Sequence, residues 1–145
     1  MLLACAVSLV ASAAFSVMFN APKKSVIPGG VVGMIAWMLY IGLPAYFHAS
    51  QVFSTFVAAF VAGAICQVFA RIFCMPVIVF SVSGMIPLVP GGTAYDTMRH
   101  LAEGSYNQAV QLASETFLMA GAIAFGLVLS GTFIPFFLKR LRKAR

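Results

Sequence analysis

Apolar residues in this chain run in long blocks separated by short polar breaks. A helix that crosses a bilayer needs roughly 20 apolar residues, within a range of about 17–25. Four blocks meet that length: about 2–19, which carries no charge; about 29–47; about 52–74, with Arg71 near its end; and about 116–138. A fifth block, about 76–90, is short and interrupted by Gly84 and Pro87, so it reads either as a broken span or as a re-entrant segment. The only polar stretch of any length, 91–115, holds all three acidic residues, Asp96, Glu103 and Glu115. Within it Tyr95, Met98, Leu101, Ala102, Tyr106, Ala109, Val110 and Ala113 recur at three and four, which predicts an amphipathic helix over about 93–113 at the membrane interface or covering the bundle. The predicted fold is all-α: a polytopic transmembrane helix bundle of four to five spans, one of them broken by Pro and Gly, plus the amphipathic helix. It forms one domain over 1–138, followed by a basic tail, 139–145.

Composition strengthens the membrane reading. Of 145 residues 62% are hydrophobic and 8% charged, and mean hydropathy is +1.02; a soluble domain carries about 25% charged residues. In water such a chain would expose apolar patches and aggregate. The net charge of +6 does not indicate nucleic acid, because five of the nine Lys and Arg residues (Lys139, Arg140, Arg142, Lys143 and Arg145) fall in the last seven positions with no basic stripe interleaved with aromatics. Cys5, Cys66 and Cys74 have no CxxC spacing and read as apolar buried thiols. Ala11-Ser12-Ala13 resembles a signal-peptide cleavage site, but no Lys or Arg precedes the first apolar block, so we expect a retained helix.

Charge decides between the two readings of the fifth block. If five segments cross and the tail is cytoplasmic, Lys23, Lys24 and Arg71 join the tail inside and only Arg99 lies outside, eight of the nine basic residues against one. A re-entrant segment would leave five against four. The excess of Lys and Arg on cytoplasmic faces favours five crossings and a cytoplasmic C-terminus.

Catalytic chemistry finds no support. His48 and His100 have no Cys, Asp or Glu at metal-ligand spacing on a shared helix face, and there is no phosphate loop or nucleophile elbow; no enzyme activity, metal or cofactor is expected. Asp96 and His100, four apart, can touch on one helix face. The informative segment runs from Ser83 to Asp96. Pro87 and Pro90 remove backbone donors within an apolar stretch, and broken backbone survives in hydrocarbon only inside protein or beside a watery cavity. Gly91-Gly92 permits a positive-φ turn, and Thr93 with Asp96 matches a capping box that would start a new helix there. Its free amides would attract a carboxylate, as discontinuous helices do in transporters. Gly84, Pro87, Pro90, Gly91, Gly92, Thr93, Tyr95 and Asp96 are therefore the candidate solute path; the competing reading is a turn leading into a surface helix, with Asp96 itself satisfying the amides. Asp96, His100 and Glu115, together with Arg71, are candidates for a proton or charge relay, although Arg71 also fits an interfacial anchor. Small residues repeat at four on several spans (Ala4, Ser8, Ser12, Ser16; Gly29, Gly33; Ala59, Gly63; Ala122, Gly126, Ser130), the pattern of close helix packing in lipid.

Phe19-Asn20-Ala21-Pro22, Ser54-Thr55-Phe56 and above all Ile86-Pro87-Leu88-Val89-Pro90-Gly91 with Ala94-Tyr95 and Met98 resemble the threonine/serine exporter family, in particular its small split subunit. The resemblance covers almost the whole chain, and the proline-glycine segment is its most specific part. It implies a bacterial inner-membrane protein that takes part in exporting small amino acids or small dicarboxylates. It also implies a larger membrane subunit that carries a cytosolic domain. Size points the same way, since four or five spans leave few helices to surround a solute. With no nucleotide motif, energy would come from a proton or ion gradient. The alternatives are a non-transporting assembly subunit and an oligomeric channel.

Overall fold

The structure, a computed structural model, describes residues 2–143, and the side chains of 3–136. It consists of α1 (Leu2–Met18), α2 (Lys23–Phe47), α3 (Gln51–Ile72), α4 (Val77–Met85), a single 3-10 turn (Ile86–Leu88), α5 (Gly91–Ala102) and α6 (Tyr106–Lys143), with no strand among the described residues. The protein is an all-α membrane bundle. Three helices, α2, α3 and the 106–136 part of α6, are long and apolar enough to cross a membrane, and the bent pair of Val77–Leu88 with Gly91–Ala102 passes the same test as one unit. The 17 residues of α1 reach about 26 Å, slightly less than a hydrocarbon core of about 30 Å.

Contacts fix the directions. Ser8 meets Gly33 and Ser16 lies beside Gly29, so α1 runs antiparallel to α2. Ser83 also lies beside Gly29 and Pro87 beside Gly33, so α4 runs parallel to α2. Gly126 sits against Phe56, Ala59 and Phe60, and Ser130 against Gly63, so α6 runs parallel to α3. One end of the bundle thus carries the α1–α2 connection, the α3–α4 connection and the C-terminal end of α6. The other carries the α2–α3 connection and the α5–α6 hairpin. The expected basic tail, 139–145, lies outside the residues whose side chains are described.

Small residues set the packing. The core consists of Val32, Ala36, Ala58, Ala59, Ala62, Cys66, Phe80, Met85 and Leu88 with few large side chains, so the helix backbones approach closely. In lipid this packing, rather than exclusion of water, holds helices together. Phe117, Phe125, Val128, Phe133 and Phe136 of α6 and Leu3, Val7, Val10 and Val17 of α1 are exposed, as lipid-facing side chains should be. Ser50 caps α3 by accepting a hydrogen bond from the Phe53 amide at 3.3 Å.

The amphipathic helix expected over 93–113 is instead two helices. Gly104 adopts φ +80 and Glu103–Ser105 turns the chain back on itself. The periodicity runs on across the break because both arms turn the same kind of face outward. Tyr95, Met98, Tyr106 and Val110 are all about two-thirds exposed. Thr93, Asp96, Thr97 and His100 are the partly buried side of α5. α5 therefore covers its polar face and leaves its apolar face free.

Candidate functional site

The chain breaks where its prolines require it. α4 ends at Met85, Pro87 sits in the first positions of the 3-10 turn, and Val89 is extended at φ −62, ψ 125. Val77–Leu88 and Gly91–Ala102 meet at 48°. The nine residues of α4 and three of the turn reach only about 20 Å, two-thirds of the hydrocarbon. Pro87 lies level with Gly33 and Trp37, near the middle of α2, so the break is at mid-bundle.

Two expectations about its far side are corrected. Gly91 and Gly92 do not form a positive-φ turn; they are the first residues of α5, and Gly104 is the described glycine with positive φ. Thr93 does not cap the helix: its Oγ1 donates to the Pro90 carbonyl at 3.1 Å, and no side chain caps the first turn. Proline accounts for both. Pro90 has a fixed φ and no N–H to lose, so the helix can begin directly after it. The Gly91 N–H donates to Val89 at 2.7 Å and that of Ala94 to Pro90 at 3.1 Å, which leaves the amides of Gly92 and Thr93 without a helical acceptor. A Cβ built at Gly91 or Gly92 meets nothing within 4 Å. Gly84, by contrast, is packed: a methyl there would lie 2.5 Å from Val32 Cγ1.

The relay candidates separate. His100 and Glu115 line one pocket of about 320 Å³ together with Gln108, Gln111 and Leu112, inside the α5–α6 hairpin. Asp96 does not bond His100; it faces Arg99 at 4.0 Å, and Arg99 reaches Glu103 at 3.2 Å. These pairs are half-exposed and contribute roughly 0.2–1 kcal/mol each. His100 Nδ1 is buried 3.6 Å from Glu103 Oε2, too far for a hydrogen bond. Arg71 is exposed in the last turn of α3, at the opposite end of the bundle from Glu115, so the two cannot pair within this chain. The polar spacing Gln108, Gln111, Glu115 on one face of α6 was a readable signal for this pocket, obscured by the stronger apolar periodicity beside it. Among the described residues no three His, Cys, Asp or Glu side chains converge to hold a metal ion.

Two further pockets flank the contact of α1 with α4. One, of about 250 Å³, is lined by Ser16, the 19–22 connection, Ile78, Val79, Val82 and Ser83. The other, of about 360 Å³, is lined by the first half of α1 with Trp37, Ile86 and Pro87. Segment 19–22 and, from the proline-glycine segment, Ile86 and Pro87 therefore contribute to neighbouring pockets.

A sequence model of the family described as threonine/serine exporter, ThrE, matches residues 4–133. No curated protein and no solved structure matches the chain. A match over so much of the sequence, including the broken segment and both arms of the hairpin, assigns it: the chain belongs to the threonine/serine exporter family.

Proposed function

We propose that this chain is the membrane half of a two-component secondary exporter in the bacterial inner membrane, moving small amino acids or small dicarboxylates, with its C-terminus in the cytoplasm. The observation that carries the proposal is the break at Ile86–Pro90, a discontinuous backbone at mid-bundle followed by two helical glycines facing open space. Backbone of this kind is stable in a membrane only against protein or a watery cavity, and discontinuous helices with free N-terminal amides are how transporters hold carboxylates. Gly84, Pro87, Pro90, Gly91, Gly92, Thr93, Tyr95 and Asp96 would line the solute path, and a larger membrane subunit with a cytosolic domain would cover it. His100 and Glu115 are the proton carriers in this reading, and Arg71 is reduced to an interfacial anchor.

Helix direction supports the orientation. Lys23, Lys24, Arg71 and the end of α6 that leads into the tail share one end of the bundle, and Arg99 is at the other, the distribution that the positive-inside rule predicts for a cytoplasmic tail. The test is export from liposomes holding both subunits, compared with each alone, loaded with serine, threonine or succinate. Transport only by the pair supports the reading. Transport by the larger subunit alone would make this chain an assembly subunit, and single-channel currents from this chain alone would make it a channel.

A further inference from the structure

Four buried serines lie along the seam where α1, α2 and α4 come together. Ser8, Ser12 and Ser16 of α1 and Ser83 of α4 are all at most 5% exposed. Ser8 Oγ donates to the Gly33 carbonyl at 3.0 Å, Ser16 Oγ to the Ser12 carbonyl at 3.0 Å, and Ser83 Oγ to the Val79 carbonyl at 3.2 Å. Ser12 is different. It is fully buried, and its Oγ has no hydrogen-bond partner among the described residues. A helical serine can always turn back to the carbonyl four residues earlier, as Ser16 does. Ser12 Oγ instead points at the Gly33 backbone, where a methyl would overlap it. Gly84 presses on the same place from α4, with its would-be methyl 2.5 Å from Val32 and 3.7 Å from the Gly33 nitrogen. Three backbones thus converge at Ser12, Gly33 and Gly84.

This junction separates the two pockets. The pocket near the α1–α2 connection ends on Ser16 and Ser83. The pocket toward the other end of the bundle reaches Ser8, Ala11 and Pro87. Ser12 lies one helical turn, about 6 Å, from Ser8 and from Ser16. The two pockets thus border α1 on either side of Ser12, and the close contact of Ser12 with Gly33 between them holds a hydroxyl without a partner among the described residues. A seam built purely for packing would be better served by alanine there, because a buried hydroxyl without a partner is costly.

We infer that the α1–α2–α4 seam is the constriction of the solute route, and that Ser12 is a binding residue that takes up a polar group of the solute when α1 parts from Gly33. This rests on the exporter reading above and adds a site and a chemistry to it. Ser8, Ser12, Ser16 and Ser83 supply hydroxyls that both donate and accept, and no charged side chain lines either pocket. Such a seam suits a small zwitterion, whose own charges offset each other. It does not suit a dianion, which would enter with no countercharge.

The test uses the complex of this chain with its larger subunit in liposomes, and compares Ser12→Ala with Ser130→Ala. Ser130 is an equally buried serine on the α3–α6 seam, but its hydroxyl is bonded to the Leu127 carbonyl at 2.9 Å. Ser12→Ala is expected to assemble normally and to lower serine export roughly tenfold or more, the worth of one lost hydrogen bond to the moving solute, while Ser130→Ala exports as wild type. In a background without Cys5, Cys66 and Cys74, Ser12→Cys is expected to react with a small thiol reagent only while the complex is turning over, and excess serine should slow that reaction. Wild-type export by Ser12→Ala, equal losses in both alanine variants, or a Ser12→Cys variant whose thiol never reacts during turnover would each overturn the seam while leaving the exporter reading intact. A wild-type complex that moves neither serine nor succinate would instead overturn the exporter reading, and the seam with it.

Discussion

Replacing both Gly91 and Gly92 by alanine should make the chain more stable and the exporter inactive. Both residues are in the first turn of α5, where the backbone is helical, and a Cβ at either meets no atom within 4 Å. The Gly91 N–H bond to Val89 is a backbone bond and survives the change. Alanine is favoured over glycine in a helix interior by about 0.8–1.0 kcal/mol, less at the first positions, a preference that comes chiefly from the smaller entropy of the unfolded chain, about 0.4–1 kcal/mol per replacement. The double variant should therefore gain roughly 1 kcal/mol. Thermal unfolding in detergent, followed by the fluorescence of the single tryptophan, Trp37 beside the broken segment, would show the midpoint move upward. In liposomes with the larger subunit, serine export should fall at least tenfold, because the two methyl groups occupy space that nothing in this chain fills. A lowered midpoint would mean that the glycines are needed for their conformational freedom and that α5 does not begin where described. A raised midpoint with full export would mean that the open space at these glycines serves no contact at all, and the path through the break would have to be abandoned.

Other predictions test separate parts of the molecule. Gly126→Ala puts a methyl 3.0 Å from Ala59 Cβ, the Phe56 carbonyl and the Phe60 nitrogen; two of these are backbone atoms that cannot turn aside, so the variant should lose about 1–3 kcal/mol, read as a lower unfolding midpoint in detergent, and an unchanged midpoint would refute the close crossing of α3 and α6. With Cys5 and Cys66 replaced, an impermeant maleimide should label exposed Cys74 only in inverted vesicles, and with Cys74 replaced as well it should label Glu103→Cys only in intact spheroplasts; labelling of both from one side would refute the assignment of the two bundle ends. Glu115→Gln in the reconstituted pair should abolish accumulation driven by a pH gradient while leaving solute exchange at equal pH intact, and gradient-driven accumulation at the wild-type level would remove Glu115 from the relay.

The fold class was legible because a bilayer permits so few solutions, and blocks of apolar residues broken by Pro22, Pro76 and Pro90 can only be helices and their connections. The break was legible for the same reason: Pro87 and Pro90 lack N–H groups, and no tertiary context restores them. What lies beyond it was less so. Gly91-Gly92 allows a left-handed turn, yet a glycine after a proline is also free to start a helix, and sequence alone does not choose. The residue that does turn the chain is Gly104, and it was hidden by an apolar repeat that continues in phase across it. The pairing of Arg71 with Glu115 was undecidable, because two charges on different helices can be compared only after the helix directions are known. α3 and α6 run parallel, and that sends Arg71 to one end and Glu115 toward the other.

The small-residue seams already differed in sequence, with three serines at spacing four on α1 against one on α6, and the structure shows a further difference that bears on mechanism. On the α3–α6 seam Gly126 lies against backbone and Ser130 is bonded within its own helix, and the pocket of about 530 Å³ farther along it is lined mainly by Phe53, Phe56, Phe117, Leu118 and Phe125, with no unpartnered buried hydroxyl among the described residues. On the α1–α2–α4 seam one hydroxyl is unsatisfied and a pocket opens on either side. Parting the first seam would break dense dispersion contacts, with no polar group set free to interact with a solute. Parting the second would free Ser12 to bond a solute between two pockets that already exist. A transporter must yield somewhere along its length, and opening comes at least cost where the closed state leaves a bond unmade. In the proposed seam α1 would move against α2 and α4, with α3 and α6 as the fixed wall.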